Sequence, residues 1–218
     1  MRRWEARDQL VPIDPGQIKC VVFDFGFTLS SDYYFKISPP GCPQWHEVIQ
    51  KYIFGEPSIV VLWMKGELTS LDIAGMLSKH FPLDIPTIAA TMEKGCQHLN
   101  FNPAVWDFAV AQKAAGRKTA LVTDNMDVFT KVVVPAHGLD QLFDVILNSS
   151  DFHEIGKDVL WPIAFERLGG GIGYANSLLI EDGETEPAMF RALGGYAYQY
   201  VNDKKFLAWL SCLNWSNN

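Results

Sequence analysis

From Lys118 onward the chain alternates short apolar runs with amphipathic stretches, and this alternation limits the folds open to it more than any other feature. Residues 119–123, 143–147, 177–180 and 196–201 read as strands, and helices are predicted after Thr123 to His137, from Asp158, near 187–193 and over 203–213. Strands separated by helices build parallel βαβ units, because a parallel neighbour is reached only by a long, right-handed crossover. An earlier run, residues 18–23, is β-branched and aromatic, and it ends in Asp24 followed by Phe25 and Gly26. That composition suits an inner strand buried on both faces. The predicted fold is a doubly wound α/β core around a parallel, Rossmann-like sheet. Ligands of such sheets gather at the carboxyl ends of the strands, which is where Asp24 is delivered. A carboxylate there serves as a nucleophile or a metal ligand, and the run around Asp24 leaves both open.

Between this strand and about Arg117 the chain reads as a helical insertion. Residues 44–54 and 58–65 suit its first helices, although Ile59-Val60-Val61-Leu62 would also suit a strand. Thr69 is a good N-cap with Asp72 three residues later, and Ile73, Met76, Leu77 and Phe81 then make one apolar face. A further helix is predicted from Asp84, with Pro86 in its first turn, to about Leu99, and another from Asn102-Pro103 to near Gly116. Gly169-Gly170-Gly171 reads as a helix stop and loop. The expected division is a core of residues 1–30 and 101–218 with a helical cap domain of residues 31–100.

Of 218 residues, 48% are hydrophobic and 20% charged, the composition of a chain that folds by itself. A net charge of -7 without a basic block excludes an electrostatic footprint for nucleic acid and favours a small ligand. No stretch is long and apolar enough to span a bilayer, and residues 1–5 lack the apolar region of a signal peptide. Cys20, Cys42, Cys96 and Cys212 show no metal-ligand spacing and read as reduced thiols, so a cytoplasmic location is expected. His46, His80, His98, His137 and His153 lack zinc-like spacing and are assigned no metal. Nothing in the sequence speaks to oligomeric state.

Three later segments join Asp24. Thr123 ends the second strand, Lys157 is predicted in the loop before a helix, and Asp182 ends the strand over 178–180 with Glu181 beside it. Strand ends of one parallel sheet converge, and phosphoryl transfer through a carboxyl intermediate uses such a set. A carboxylate attacks phosphorus, a divalent cation offsets the repulsion between anions, a hydroxyl holds a phosphoryl oxygen, and an ammonium steadies the developing charge. Mg²⁺ prefers one or two carboxylates plus water and phosphate oxygens.

With these segments in order, Asp24 at the end of the first strand, Leu121-Val122-Thr123-Asp124-Asn125, Gly156-Lys157-Asp158 and Ile180-Glu181-Asp182-Gly183-Glu184-Thr185-Glu186, the chain resembles a haloacid dehalogenase superfamily hydrolase. The position of the insertion is similar to that in members with a helical, C1-type cap, and 64–69 resembles a cap segment of small sugar-phosphate phosphatases. The resemblance implies a Mg²⁺-dependent phosphatase acting on a small phosphorylated metabolite through an aspartyl-phosphate. It makes Asp24 the nucleophile and a metal ligand, and Thr123, Asp124, Asn125 and Lys157 the phosphate-binding set. Lys157 also orients Asp24. Asp182 binds Mg²⁺ with help from Glu186, and the backbone carbonyl of Gly26 is a further ligand.

The departure from the family is Gly26, where most phosphatases carry a second Asp as general acid and base. Such a group is worth ~10²–10⁴-fold in rate. Asp32, Asp124, Asp127 and His46 are the candidates to replace it. Tyr33, Tyr34 and Phe35, at the hinge into the cap, read equally as substrate contacts or as a packed hinge, whereas Trp45, Phe54, Trp63 and Phe81 are expected in the core. Three alternatives stay open. A non-catalytic phosphate- or partner-binding scaffold follows from loss of the acid; a C-halide hydrolase needs no leaving-group acid; a phosphonate-cleaving enzyme would need an imine-forming lysine, for which Lys36, Lys51 and Lys65 are available.

Overall fold

The computed structural model describes residues 13–213 and Trp215. The reading of residues 1–5 lies outside these. Among the described residues the sheet has five strands, β1 (Cys20–Phe23), β2 (Lys118–Thr123), β3 (Val145–Asn148), β4 (Ser177–Glu181) and β5 (Tyr196–Gln199), in the order β3-β2-β1-β4-β5. All neighbours are parallel, with Phe23 level with Leu121 on one side and Ile180 on the other. The chain builds outward from β1 through β2 to β3, then returns to lay β4 and β5 on the opposite side. This reversal opens a crevice at the carboxyl end of β1.

Successive residues of a strand face opposite sides, and each side of this sheet has its own core. Val21, Phe23, Leu121, Leu178 and Ile180 join α5 (Pro103–Ala114) and α11 (Asp203–Cys212) in a large cluster that continues into the insertion. Cys20, Val22, Ala120, Val122 and Leu179 pack against Leu160, Trp161 and Phe165 of α9 (Lys157–Leu168) and Phe190 of α10 (Thr185–Ala192). Because the centres of β1, β2 and β4 are buried on both faces, they carry the apolar runs 20–23, 120–122 and 178–180. The strand over 143–147 begins later than expected, at Val145. Asp144 spends its side chain on the Thr119 amide, 2.9 Å away, and so acts as a bracket ahead of the ladder.

Between β1 and α5 the chain forms α1 (Trp45–Ile49), which widens into a π-helical turn (Gln50–Phe54), then α2 (Pro57–Met64), α3 (Ser70–Leu77) and α4 (Ile85–Cys96). The run 59–62 is helical, not a strand. Pro57 presets the first turn, and a helix satisfies its own backbone where no sheet edge is at hand. The Thr69–Asp72 capping box opens α3, and Ile73, Leu77 and Phe81 are buried while Met76 is half-buried. α4 starts after the Asp84 cap as expected but ends three residues before Leu99. Near its end Gly95 passes over the Tyr34 backbone so closely that a Cβ would lie 2.1 Å from the Tyr34 carbonyl oxygen.

The single helix expected before His137 is instead a π-helical turn (Phe129–Val133) followed by α6 (Val134–His137). Pro135 has no N–H to give, so regular bonding is interrupted there. α7 (Leu139–Leu142) and α8 (Ser149–Phe152) are one-turn helices whose length gives no periodicity to read.

Candidate active site

The residues expected to bind phosphate and metal line one cavity of about 370 Å³ at the carboxyl end of the sheet: Asp24, Gly26, Thr123, Asp124, Asn125, Lys157, Asp182 and Glu186. The ladder explains why. Asp24 follows β1 directly and stays in register, its amide donating to the Ile180 carbonyl at 3.0 Å. Thr123 closes β2, Glu181 closes β4, and Asp182 is the next residue.

Lys157 is not in a loop, as expected, but is the first residue of α9. Gly156 turns the chain there at φ 114°, a conformation that favours glycine, and the helix begins one residue earlier than the apolar pattern indicates. The buried ammonium donates to Asp24 Oδ1 at 2.6 Å and to Glu181 Oε2 at 2.5 Å. Burial alone would lower the Lys157 pKa, but Asp24 and Glu181 outweigh it and hold the ammonium well above its ordinary value. Burial, and then the nearby Asp24 charge, push the Glu181 carboxyl well above the usual carboxylate range, against the pull of Lys157.

Asp182 is raised by burial and by Asp24, partly offset by the Thr28 hydroxyl, which donates to its Oδ1 at 3.2 Å. Asp124 accepts from the Gly156 amide at 3.2 Å, yet burial leaves its pKa raised. Carboxylate oxygens of Asp24, Glu181 and Asp182 all lie within 4.8 Å of one another. Three crowded carboxylates with one shared ammonium are a donor set of hard oxygens that suits a small divalent cation such as Mg²⁺.

Glu181 is the residue the sequence reading passed over. It appeared only as the neighbour of Asp182; it closes β4 and its side chain is buried with the strand. Glu186, expected to help Asp182 bind Mg²⁺, lines the cavity from the first turn of α10 but is outside the close group of three.

The candidates to replace the missing acid separate. Asp32 and Asp124 line the cavity. Asp32 is engaged by Lys36 at 2.5 Å and by the Asn100 amide at 2.6 Å. Asp127 is turned toward the insertion, where it accepts from Trp63 Nε1 at 2.8 Å, from the Ser70 hydroxyl at 2.6 Å and from Lys131 at 2.9 Å. His46 packs against Tyr33, ring centroids 6.2 Å apart. At Gly26 nothing lies within 4 Å of where a Cβ would sit, so the position is open to a side chain.

Tyr33 and Tyr34 line the cavity, whereas Phe35 is stacked on Trp63 at 5.7 Å within the core. Trp45, Trp63 and Phe81 are core residues, as expected; Phe54 is the exception and lines the cavity. Lys36, Lys51 and Lys65 are not among its lining residues.

Several solved structures share this architecture. A haloacid dehalogenase (HAD) family enzyme from Bacteroides thetaiotaomicron, in complex with magnesium and inorganic phosphate, superposes with a TM-score of 0.61 at 15% identity, covering 84% of this chain and 94% of that one. The fold is that of the haloacid dehalogenase enzymes. A predicted HAD-like family hydrolase from Porphyromonas gingivalis matches with a TM-score of 0.64 at 14% identity over 92% of this chain and 99% of its own. L-2-haloacid dehalogenase from Xanthobacter autotrophicus, with chloropropionic acid covalently bound, matches with a TM-score of 0.57 at 14% identity over 89% and 83%. No family model and no curated protein matches the sequence. Among these neighbours the fold thus occurs in an enzyme with magnesium and inorganic phosphate bound and in one with chloropropionic acid covalently bound.

Proposed function

We propose that this chain is a Mg²⁺-dependent phosphomonoester hydrolase in which Asp24 is the nucleophile. The observation that carries the reading is the buried Lys157 ammonium bridging Asp24 and Glu181, with Asp182 alongside, at the carboxyl ends of β1 and β4. In this reading Lys157 fixes the Asp24 carboxylate so that its free oxygen addresses phosphorus. Thr123, Asp124 and Asn125 bound the phosphoryl group from the end of β2. Asp24, Glu181 and Asp182 would hold Mg²⁺, whose positive charge offsets repulsion between the carboxylates and a phosphate dianion. The helical segment 31–100 acts as the cap that excludes water from the cavity. Cytoplasm is the proposed compartment: Cys20, Cys42 and Cys96 are buried free thiols, and among the described residues no helix is long and apolar enough to cross a membrane.

Charge separates this reading from haloacid hydrolysis. Asp24, Asp32, Asp124, Glu181, Asp182 and Glu186 line the cavity, against the one ammonium of Lys157 among its described lining residues. A 2-haloacid would bring a further carboxylate into this field with no cation left to receive it. A phosphate would arrive with its neutralising Mg²⁺.

The test is phosphate release from a panel of small phosphomonoesters with and without Mg²⁺, on wild type and Asp24→Asn in parallel. Turnover that requires both Mg²⁺ and Asp24 is the expected result. Binding of phosphate and Mg²⁺ without turnover of any ester would instead make the chain a phosphate-binding scaffold.

A further inference from the structure

The cavity joins two unlike halves. Its floor is the acidic cluster around Lys157, and its walls and mouth are Phe27, Tyr33, Tyr34, Phe54, Met64 and Met126. Phe27 and Tyr33 are 53% and 56% exposed and meet edge to face at 5.8 Å. Phe27 also sits at φ 55°, in the left-handed region where glycine or asparagine is at ease and a bulky side chain is strained. Packing does not account for a strained phenylalanine with half its surface in water. Strain of this kind is retained where a side chain serves a ligand.

We propose, on the basis of the phosphohydrolase reading above, that the substrate class is the aryl phosphates, in which the ester oxygen belongs to an aromatic hydroxyl and no second anionic group is present. Phe27 and Tyr33 receive the ring of the leaving group, since offset and edge-to-face arrangements with aromatic side chains favour a planar partner. A polyol phosphate would lose the hydration of its hydroxyls against these walls. A second phosphate or a carboxylate would meet the acidic lining unpaired.

The chemistry of the floor points the same way. Gly26 presents no acid, and the space beside it is open. An expelled alkoxide needs a proton in the transition state, whereas an aryloxide, whose parent phenol ionises near 10, departs without one far more readily. The step balances simply. An Asp24 oxygen bonds to phosphorus as the phosphorus–aryl oxygen bond breaks; the aryloxide leaves with the bonding pair and takes its proton from solvent. Water then attacks phosphorus, releasing inorganic phosphate and restoring the carboxylate.

The experiment is a kcat/KM series with Mg²⁺ over ring-substituted phenyl phosphates, benzyl phosphate and glycerol phosphate, on wild type, Asp24→Asn, Gly26→Asp, Phe27→Gly and Phe27→Asn. Wild type is expected to favour phenyl over benzyl and glycerol phosphate, with rates that climb as the phenol becomes more acidic. Gly26→Asp narrows the phenyl-to-benzyl gap by ~10²–10⁴-fold, the worth of a general acid. Phe27→Gly and Phe27→Asn raise KM for phenyl phosphate about twofold to tenfold without lowering Tm, because both relieve the strained φ; a residue needed only for packing would lower Tm and leave KM alone. Glycerol phosphate turned over as well as phenyl phosphate, or rates indifferent to phenol acidity, would overturn this inference while the phosphohydrolase reading stands. Failure of every ester to turn over in an Asp24-dependent way would overturn both.

Discussion

Asp24 and Glu181 approach each other only because Lys157 stands between them. Replacing Lys157 with Met leaves two buried carboxylates facing one another, and breaking a buried pair in this way costs about 3–5 kcal/mol. Thermal unfolding of Lys157→Met should show that loss together with loss of turnover; an unchanged Tm would mean that the ammonium is not the keystone of the cluster. The opposite outcome is expected at Gly26. Because its Cβ direction is empty, Gly26→Asp meets no steric bar and should raise turnover of alkyl phosphates ~10²–10⁴-fold. Asp24 and Thr123 were legible in the sequence because each polar residue closes an apolar strand, and Asp182 because it lies just beyond one. Glu181 was not, since two adjacent carboxylates give no sign of which one the strand carries inward, and the answer depends on the pleat of β4.

At the scale of elements, the segment joining α2 to α3 is the seam between insertion and core. Asp127 gathers Trp63 Nε1, the Ser70 amide and hydroxyl, and Lys131, while the Ser149 hydroxyl donates to the Met64 carbonyl at 2.8 Å. Burial would raise the Asp127 pKa, but the bonds from Ser70, Lys131 and Trp63 outweigh it and hold it below the ordinary carboxylate value. A carboxyl lowered on folding stabilises the folded state above its unfolded pKa, near 3.9, and that stability is lost as pH falls through the folded value. Asp127→Ala should therefore cost about 1–3 kcal/mol at neutral pH, and the difference from wild type should shrink below about pH 4 in denaturant titrations. A difference constant with pH would exclude the charge. Gly66 should be equally intolerant: at φ 67°, a Cβ would lie 2.4 Å from the Ser150 carbonyl oxygen.

The Thr69–Asp72 capping box was readable because a cap is local chemistry. The choice of helix over strand for 59–62 was not, because composition leaves both open and the absence of a neighbouring sheet edge decides. Lys157 was misplaced for a related reason. Gly156 turns the chain into α9 at a positive φ, and backbone sign is invisible in a residue name.

Across the whole molecule, the order β3-β2-β1-β4-β5 brings residues 24, 123, 157 and 182 from distant parts of the chain to one crevice. The strand-and-helix alternation made that convergence readable in advance, whereas the aromatic character of the cavity walls depended on how the insertion folds back. The acidic cluster links stability to metal. Mg²⁺ at a hundred times its dissociation constant should stabilise the fold by about 2.7 kcal/mol, seen as a rise in Tm reversed by a chelator and absent in Asp182→Asn; a Tm indifferent to Mg²⁺ would remove the cation from the site. The most direct test of the account is mass spectrometry of enzyme quenched in acid within one turnover of phenyl phosphate and Mg²⁺. The account predicts a phosphoryl group on the peptide bearing Asp24. Phenol release without that adduct, or an adduct on another residue, would contradict it.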